Sequence, residues 1–146
     1  MMRIGLALFI ACSCWNGAIA QNPLEHQKAA QAALQSQLGQ DGAGCSSAKT
    51  TYDGNVCMAN VLSQTERDFT VFYDHLEALL GTDPSSSDFY QAQKLWEDYR
   101  EASCKAVERF HANGTIAITA ELRCRVALTR SRMRDLDDLY HTMLHD

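Results

Sequence analysis

The sequence predicts an all-α fold, an antiparallel up-down helical bundle of three long helices plus a peripheral N-terminal helix, stapled by two disulfides. Two observations lead to this prediction. Apolar residues recur at steps of three and four along three long segments, and the alternation typical of strands is absent. In addition, Cys104 and Cys124 each stand ten residues from Gly114. A turn at Asn113-Gly114 would therefore place these two thiols at the same height on adjacent helices.

The N-terminal segment has the features of a secretory signal. Arg3 supplies a positive charge, residues 4–10 are mostly apolar, and an Ala-Ile-Ala sequence ends at Ala20. The apolar run is too short to span a bilayer, so we expect cleavage near Ala20/Gln21 and a periplasmic or secreted protein. Lipidation at Cys12 is a weaker alternative, because the signal would be very short. No later segment is apolar enough to serve as a transmembrane anchor.

The domain prediction follows from the breaks in the helical pattern. Residues 1–20 are the signal peptide, residues 21–44 form an N-terminal helix and linker, and residues 45–146 form the main helical domain. Within the second part, residues 24–38 favour a helix because they are rich in Ala, Gln and Leu. Its thin apolar face predicts a peripheral helix. Residues 45–56 contain Asp-Gly and a Ser/Thr cluster, which predict a loop.

The three long helices are marked by their apolar stripes and by stop and cap residues. Gly81 ends the first, Asp83-Pro84 or Ser85-x-x-Asp88 starts the second, and Thr115 can cap the third. The first stripe is Met58, Leu62, Thr65, Phe69, Phe72, Leu76 and Leu79; the second is Phe89, Ala92, Trp96, Tyr99, Ser103, Val107 and Phe110; the third is Ile118, Leu122, Val126, Thr129, Met133, Leu136, Tyr140 and Met143.

Four cysteines follow the predicted signal: Cys45, Cys57, Cys104 and Cys124. An even number in a small exported domain implies disulfides. Three pairings are possible, and proximity together with the hairpin symmetry favours Cys45–Cys57 and Cys104–Cys124. A zinc site is disfavoured because no C-x-x-C pair is present. No metal site and no cofactor is predicted.

The charge balance restricts the class of partner. The chain has 13 Lys and Arg against 18 Asp and Glu, a formal net charge of −5. An acidic domain is a poor candidate for nucleic-acid binding, which needs clustered Lys and Arg side chains. It suits a cationic protein partner better. The sequence also lacks G-x-S-x-G, a phosphate loop and H-E-x-x-H, so we do not expect an enzyme.

Seven residues form a motif: Trp96, Tyr99, Arg100 and Cys104, then Gly114, Cys124 and Arg130. This motif resembles that of a known family, the LprI-like lysozyme inhibitors. The resemblance covers about residues 45–140, and its turn has Asn113-Gly114 where relatives often have Gly-Gly. It implies a small exported bacterial domain that binds protein, named after a member that inhibits lysozyme.

Two functional hypotheses follow. The first is an inhibitor of lysozyme-type muramidases, possible partners being the basic, animal-type enzymes. Their cleft depends on two carboxylates, against which an inhibitor could place a cation from a loop. Candidate loops are residues 81–87, 112–115 and 45–57, and candidate binding residues are Lys49 and His111. The alternative is a periplasmic envelope interaction or immunity-like module with a non-lysozyme partner.

Arg100 is also a candidate binding residue, and two roles are open to it. As an exposed anchor it would bind a carboxylate of the partner, which requires an accessible side chain. As a structural residue it would pair with Glu66 or Asp68 while Trp96 and Tyr99 fill the core. The structural role is favoured, because aromatic stripes at helical spacing usually belong to a core.

Overall fold

A computed structural model describes residues 22–39, 45–81 and 87–146. The predicted signal peptide, the Asp83-Pro84 and Ser85 caps and most of the 81–87 connection lie outside these ranges. The described residues contain five helices and no strand, which confirms the all-α prediction. None of these helices is long and apolar enough to cross a membrane. The helices are α1 (Pro23–Leu38), α2 (Thr51–Leu80), α3 (Asp88–Phe110), α4 (Ala117–Leu139) and α5 (His141–His145).

The bundle is an up-down arrangement with α4 at its centre. Helix α1 packs against α2, and α4 packs against both α2 and α3. The backbones of α2 and α3 do not approach each other, so only side chains bridge them. The short α5 packs against α1, where the Gln27 amide donates to the Met143 carbonyl at 3.0 Å.

The predicted loop over residues 45–56 is wrong in its second half, because α2 begins at Thr51. Thr50 and Asp53 form a capping box. The Thr50 hydroxyl accepts from the Asp53 N–H at 3.1 Å, and the Asp53 carboxylate accepts from the Thr50 N–H at 3.2 Å. These bonds satisfy two N–H groups that a helix start leaves unpaired. Gly54 therefore lies in the first turns of a helix rather than in a turn of the loop.

The other helix boundaries agree with the sequence in part. Gly81 ends α2 in the left-handed region, at φ 61°, which glycine adopts without steric cost. Ser87 caps α3 by accepting from the Tyr90 N–H at 3.2 Å. The prediction that Thr115 caps α4 is wrong, since Ile116 occupies that position and no side chain caps the helix.

The predicted apolar stripe of α3 includes two residues that the structure shows to be exposed. Tyr99 is 58% exposed and Phe110 is 85% exposed, so neither fills the core. The face that points inward carries Phe89, Gln93, Trp96, Arg100 and Cys104. Gln93 and Arg100 are the polar members of this face, and they hydrogen-bond to other helices instead of packing as apolar groups. On α4, Ile118 is likewise exposed, whereas the stripe from Val126 to Leu136 is buried.

The apolar core has two parts. The larger cluster combines residues of all five helices: Ala30, Ala33, Leu34, Phe72, Leu76, Phe89, Met133, Leu136 and Leu144. The smaller cluster contains Cys45, Met58 and Val126, with Leu122 and Val61 packed beside it. Helix α1 contributes its narrow stripe of Ala and Leu to the larger cluster, because alanines allow its backbone to approach α2 closely.

Candidate functional site

Both predicted disulfides are present, and both lie at the same end of the bundle. Cys45–Cys57 has a Cα–Cα distance of 5.8 Å, and Cys104–Cys124 has one of 5.4 Å. Within this end, the Thr119 hydroxyl of α4 also hydrogen-bonds the Asn55 side chain of α2. We call the part formed by residues 45–58 and 104–124 the braced end.

The braced end carries several large apolar side chains that no part of the described protein covers. Tyr52 is 75% exposed, and Phe110 is 85% exposed. Val56, Ile116 and Ile118 are also exposed. Aromatic side chains on a rigid surface are the residues that most often contribute binding energy at protein interfaces. This end of the molecule therefore has the composition of a protein-binding surface.

Two of the three candidate binding residues also lie at the braced end. Lys49 is exposed in the loop between Cys45 and the start of α2. His111 is the C-cap residue of α3, and its ring contacts the Phe110 ring edge-on, with centroids 5.0 Å apart. Two of the candidate loops, 45–57 and 112–115, thus lie at the braced end.

The third candidate, Arg100, points inward. Its side chain is 17% exposed, and its Nη1 donates to Thr129 Oγ1 at 2.8 Å and pairs with Glu66 Oε1 at 3.4 Å. The guanidinium also lies over the Trp96 ring, 5.1 Å from its centroid. The ion pair to Glu66 is the one expected from the sequence, and it ties α3 to α2. Arg100 does not meet the condition of accessibility that an anchor for a partner's carboxylate requires.

Trp96 is surrounded by groups from all three long helices. Its ring lies 5.5 Å from the Phe69 ring of α2. Arg132 of α4 places its guanidinium 5.8 Å from the same ring. Cation–π contacts of this kind add to the burial of the indole. The motif pair Trp96 and Arg100 therefore fixes α3 relative to its neighbours.

Arg130, another motif residue, connects α4 to α1. Its Nε donates to Gln37 Oε1 at 3.0 Å, and the Thr65 hydroxyl donates to the same oxygen at 2.9 Å. The Gln37 amide nitrogen donates to Asp68 at 2.5 Å. Buried polar groups must find such partners. The sequence analysis missed Gln37, because a glutamine in a Gln-rich helix carries no mark of burial.

A cleft lies between α2 and α3, with a volume of about 300 Å³. It exists because α4 separates the two backbones. Its aromatic walls are Phe69, Tyr73, Tyr90 and Trp96, and its polar lining includes Glu66, Asp74, Gln93, Glu97 and Arg100. The sequence analysis missed this cleft, because the lining combines residues of the predicted apolar stripes with residues outside them.

Tyr73 has an unusual environment in this cleft. Burial, followed by the negative charges of Glu77 and Glu97, raises the pKa of Tyr73 to about 12. Its buried hydroxyl has no hydrogen-bond partner among the described residues, and the same holds for Glu77 Oε1 and Arg100 Nε. Buried polar atoms without partners are uncommon in folded proteins, and each one calls for an explanation.

No group of three side chains suited to a metal ion occurs among the described residues. In α5, the His141 and His145 rings stack with their centroids 4.3 Å apart. His145 Nε2 lies 2.8 Å from Asp137. This geometry is that of a helix-end contact.

The comparison with protein families gives one match. A sequence model described as "Lysozyme inhibitor LprI" matches residues 43–136, well over half of the chain. The chain belongs to the LprI lysozyme-inhibitor family. The matched region contains both disulfides, all of α2 and α3, and most of α4. The family is one of exported inhibitors rather than catalysts. No curated protein and no solved structure matches the chain.

Proposed function

We propose that this LprI-family protein is an exported, non-catalytic inhibitor that binds a lysozyme-type muramidase through its braced end. Residues 1–20 would direct export and be removed near Ala20/Gln21, so that residues 45–146 act as the binding domain in the periplasm or outside the cell. Family membership supports a protein partner. The choice of the braced end rests on its exposed apolar side chains and on the two disulfides that cross-link this end.

Rigidity supports this choice of surface. Binding costs conformational entropy when loops and side chains become ordered. The two disulfides and the Thr119–Asn55 hydrogen bond fix the braced end before any partner arrives. Phe110 and Tyr52 would then contribute their buried area without a large ordering cost, as preorganised anchors do.

The chemistry of a lysozyme cleft supports a role for the basic residues nearby. Such a cleft contains two acidic side chains, one of them ionised during catalysis. Lys49 precedes Tyr52 by three residues, and the His111 ring contacts Phe110. In this proposal one of these basic residues approaches the ionised carboxylate while Phe110 or Tyr52 fills a sugar-binding subsite. Inhibition would then result from exclusion of the glycan.

The proposal is tested by titrating the exported protein into cell-wall lysis assays with lysozymes of several classes. Phe110→Ala and Tyr52→Ala should each raise the inhibition constant at least about tenfold, as loss of an aromatic anchor does. Leu139→Ala is the matched control, because Leu139 is 71% exposed but lies at the other end of α4. Absence of inhibition by the wild-type protein at micromolar excess contradicts the proposal.

The same titration separates the two functional hypotheses. If the wild-type protein inhibits no lysozyme, yet a specific envelope protein binds it and Phe110→Ala abolishes that binding, the surface is correct and the partner is not. If Phe110→Ala and Leu139→Ala inhibit as well as the wild type, the braced end is the wrong surface.

A further inference from the structure

We infer that the cleft between α2 and α3 receives a basic side chain, Lys or Arg, of the partner protein. This inference rests on the proposed function only for the identity of the partner. The cleft is separate from the braced end, since it lies along the middle of the bundle between Glu66 and Tyr90. It would therefore serve as a second point of attachment.

The shape and walls of the cleft suit an elongated cation. Its volume of about 300 Å³ admits one long side chain. Phe69, Tyr73 and Tyr90 present aromatic surface to the cleft. Aromatic walls attract ammonium and guanidinium groups through the negative faces of the rings and also pack against their aliphatic stems.

The charges around the cleft are unbalanced. Among the described residues, Glu66, Asp74 and Glu97 line it together with one basic residue, Arg100. A second basic residue, Arg132, lies next to the cleft, where it donates to Gln93 at 3.3 Å. Arg100 is already paired with Glu66. Among the described residues, Asp74 and Glu97 have no basic partner, and Glu97 accepts only from the Gln93 amide, at 3.3 Å. Two carboxylates thus remain to attract a cation from outside.

Tyr73, a wall residue of the cleft, has a buried hydroxyl without a hydrogen-bond partner among the described residues. Glu77 Oε1 is likewise buried and unpaired among these residues, and Glu77 is close enough to raise the pKa of Tyr73. A buried acceptor that stays unpaired costs free energy. A donor-rich cation entering the cleft would donate to Tyr73 Oη, since Tyr73 lines it. An anionic ligand would instead meet the carboxylates, and a metal ion would find no group of three ligands among the described residues.

The test compares cleft variants with a control on the same helix. The double variant Asp74→Asn, Glu97→Gln keeps the size of both side chains and removes their charges. We expect it to raise the dissociation constant for a basic, animal-type lysozyme about tenfold in calorimetry. Asp98→Asn is the control, because Asp98 is exposed and pairs with Lys94. It should bind like the wild type. Equal affinity of the double variant and the wild type overturns the inference and leaves the proposed function standing.

A second measurement tests the cleft when no lysozyme binds. The indole N–H signal of Trp96, assigned with Trp96→Phe, is followed by nuclear magnetic resonance. The probes are N-acetyl-lysine methylamide and, as a control, N-acetyl-glutamate methylamide. A saturable shift with the lysine probe alone, lost in the double variant, supports the cleft while the proposed function fails. No shift with the lysine probe, or the same shift with both probes, overturns the inference.

Discussion

The two ends of the bundle are stabilised in different ways. The far end, which we define by the larger apolar cluster, buries Leu34, Phe72, Leu76 and Leu136 almost completely. Its stability comes from the burial of apolar area. The braced end has a small cluster around Met58 and Val126 and relies on two disulfides.

This difference shows how a small domain can leave apolar side chains exposed. Phe110 and Tyr52 are exposed at the braced end and add nothing to its small core, while two disulfides cross-link this end. Disulfides commonly substitute for core area in small exported domains. The braced end can therefore use its aromatic residues for binding while the far end maintains the fold.

The largest expected effect comes from truncation in the far end. Phe72→Ala should lower the free energy of unfolding by about 3–5 kcal/mol, because Phe72 is fully buried and its removal leaves a cavity. Phe110→Ala, at the braced end, should change it by less than about 0.5 kcal/mol, as exposed substitutions do. Denaturant unfolding of both variants measures the contrast. Similar losses for the two would contradict the division of roles.

The second effect is loss of the hairpin disulfide. Cys104→Ser combined with Cys124→Ser should cost about 3 kcal/mol, because the unfolded chain regains loop entropy. Hydrogen exchange should increase mainly at the C-terminal end of α3 and at the start of α4. If exchange increased equally in α1 and α5, the two ends would not be independent.

The helical content of the fold was predictable from the sequence, because the stripes of α2 and α4 are apolar and regular. The face of α3 was not, since its inward positions include Gln93 and Arg100. Gln93 Oε1 accepts from Arg132 at 3.3 Å, and Arg100 donates to Thr129. Only the positions of the neighbouring helices show that Gln93 Oε1 and Arg100 Nη1 find hydrogen-bond partners there.

The candidate site was predictable to a smaller extent. The disulfide pairing of Cys104 with Cys124 followed from equal spacing about Gly114, and the structure confirms it. The exposure of Tyr52 and Phe110 could not be deduced, because helical spacing alone assigned Phe110 to a buried stripe. The cleft depends on the gap between α2 and α3, which no local pattern encodes.

A smaller effect is expected at the start of α2, where the braced end begins. Thr50→Ala should cost about 1 kcal/mol, because the Asp53 N–H loses its capping acceptor. Thr51→Ala is the control, since Thr51 is exposed within the first turn. Thermal unfolding compares the two. Equal melting temperatures would show that the disulfide alone fixes this helix start.

The smallest effect at neutral pH is expected for Tyr73→Phe. The Tyr73 hydroxyl has no partner, so its removal should change the free energy of unfolding by less than about 1 kcal/mol. At alkaline pH the two proteins should differ. The pKa of Tyr73 is about 12 in the folded protein, against an ordinary value of 10.0. The unfolded state therefore ionises first, and wild-type stability falls as the pH rises between these two values. Tyr73→Phe should lack this part of the fall, as denaturation at several pH values would measure.

The order of the disulfides also has a consequence for oxidative folding. Among the four cysteines of the described residues, the first pairs with the second and the third with the fourth. In a chain translocated from its N-terminus, Cys57 would be the next of these cysteines to emerge after Cys45, and Cys124 the next after Cys104. An oxidant that joins thiols as they emerge would then produce the native pairing in both cases. Within these four cysteines, maturation would need no later disulfide isomerisation.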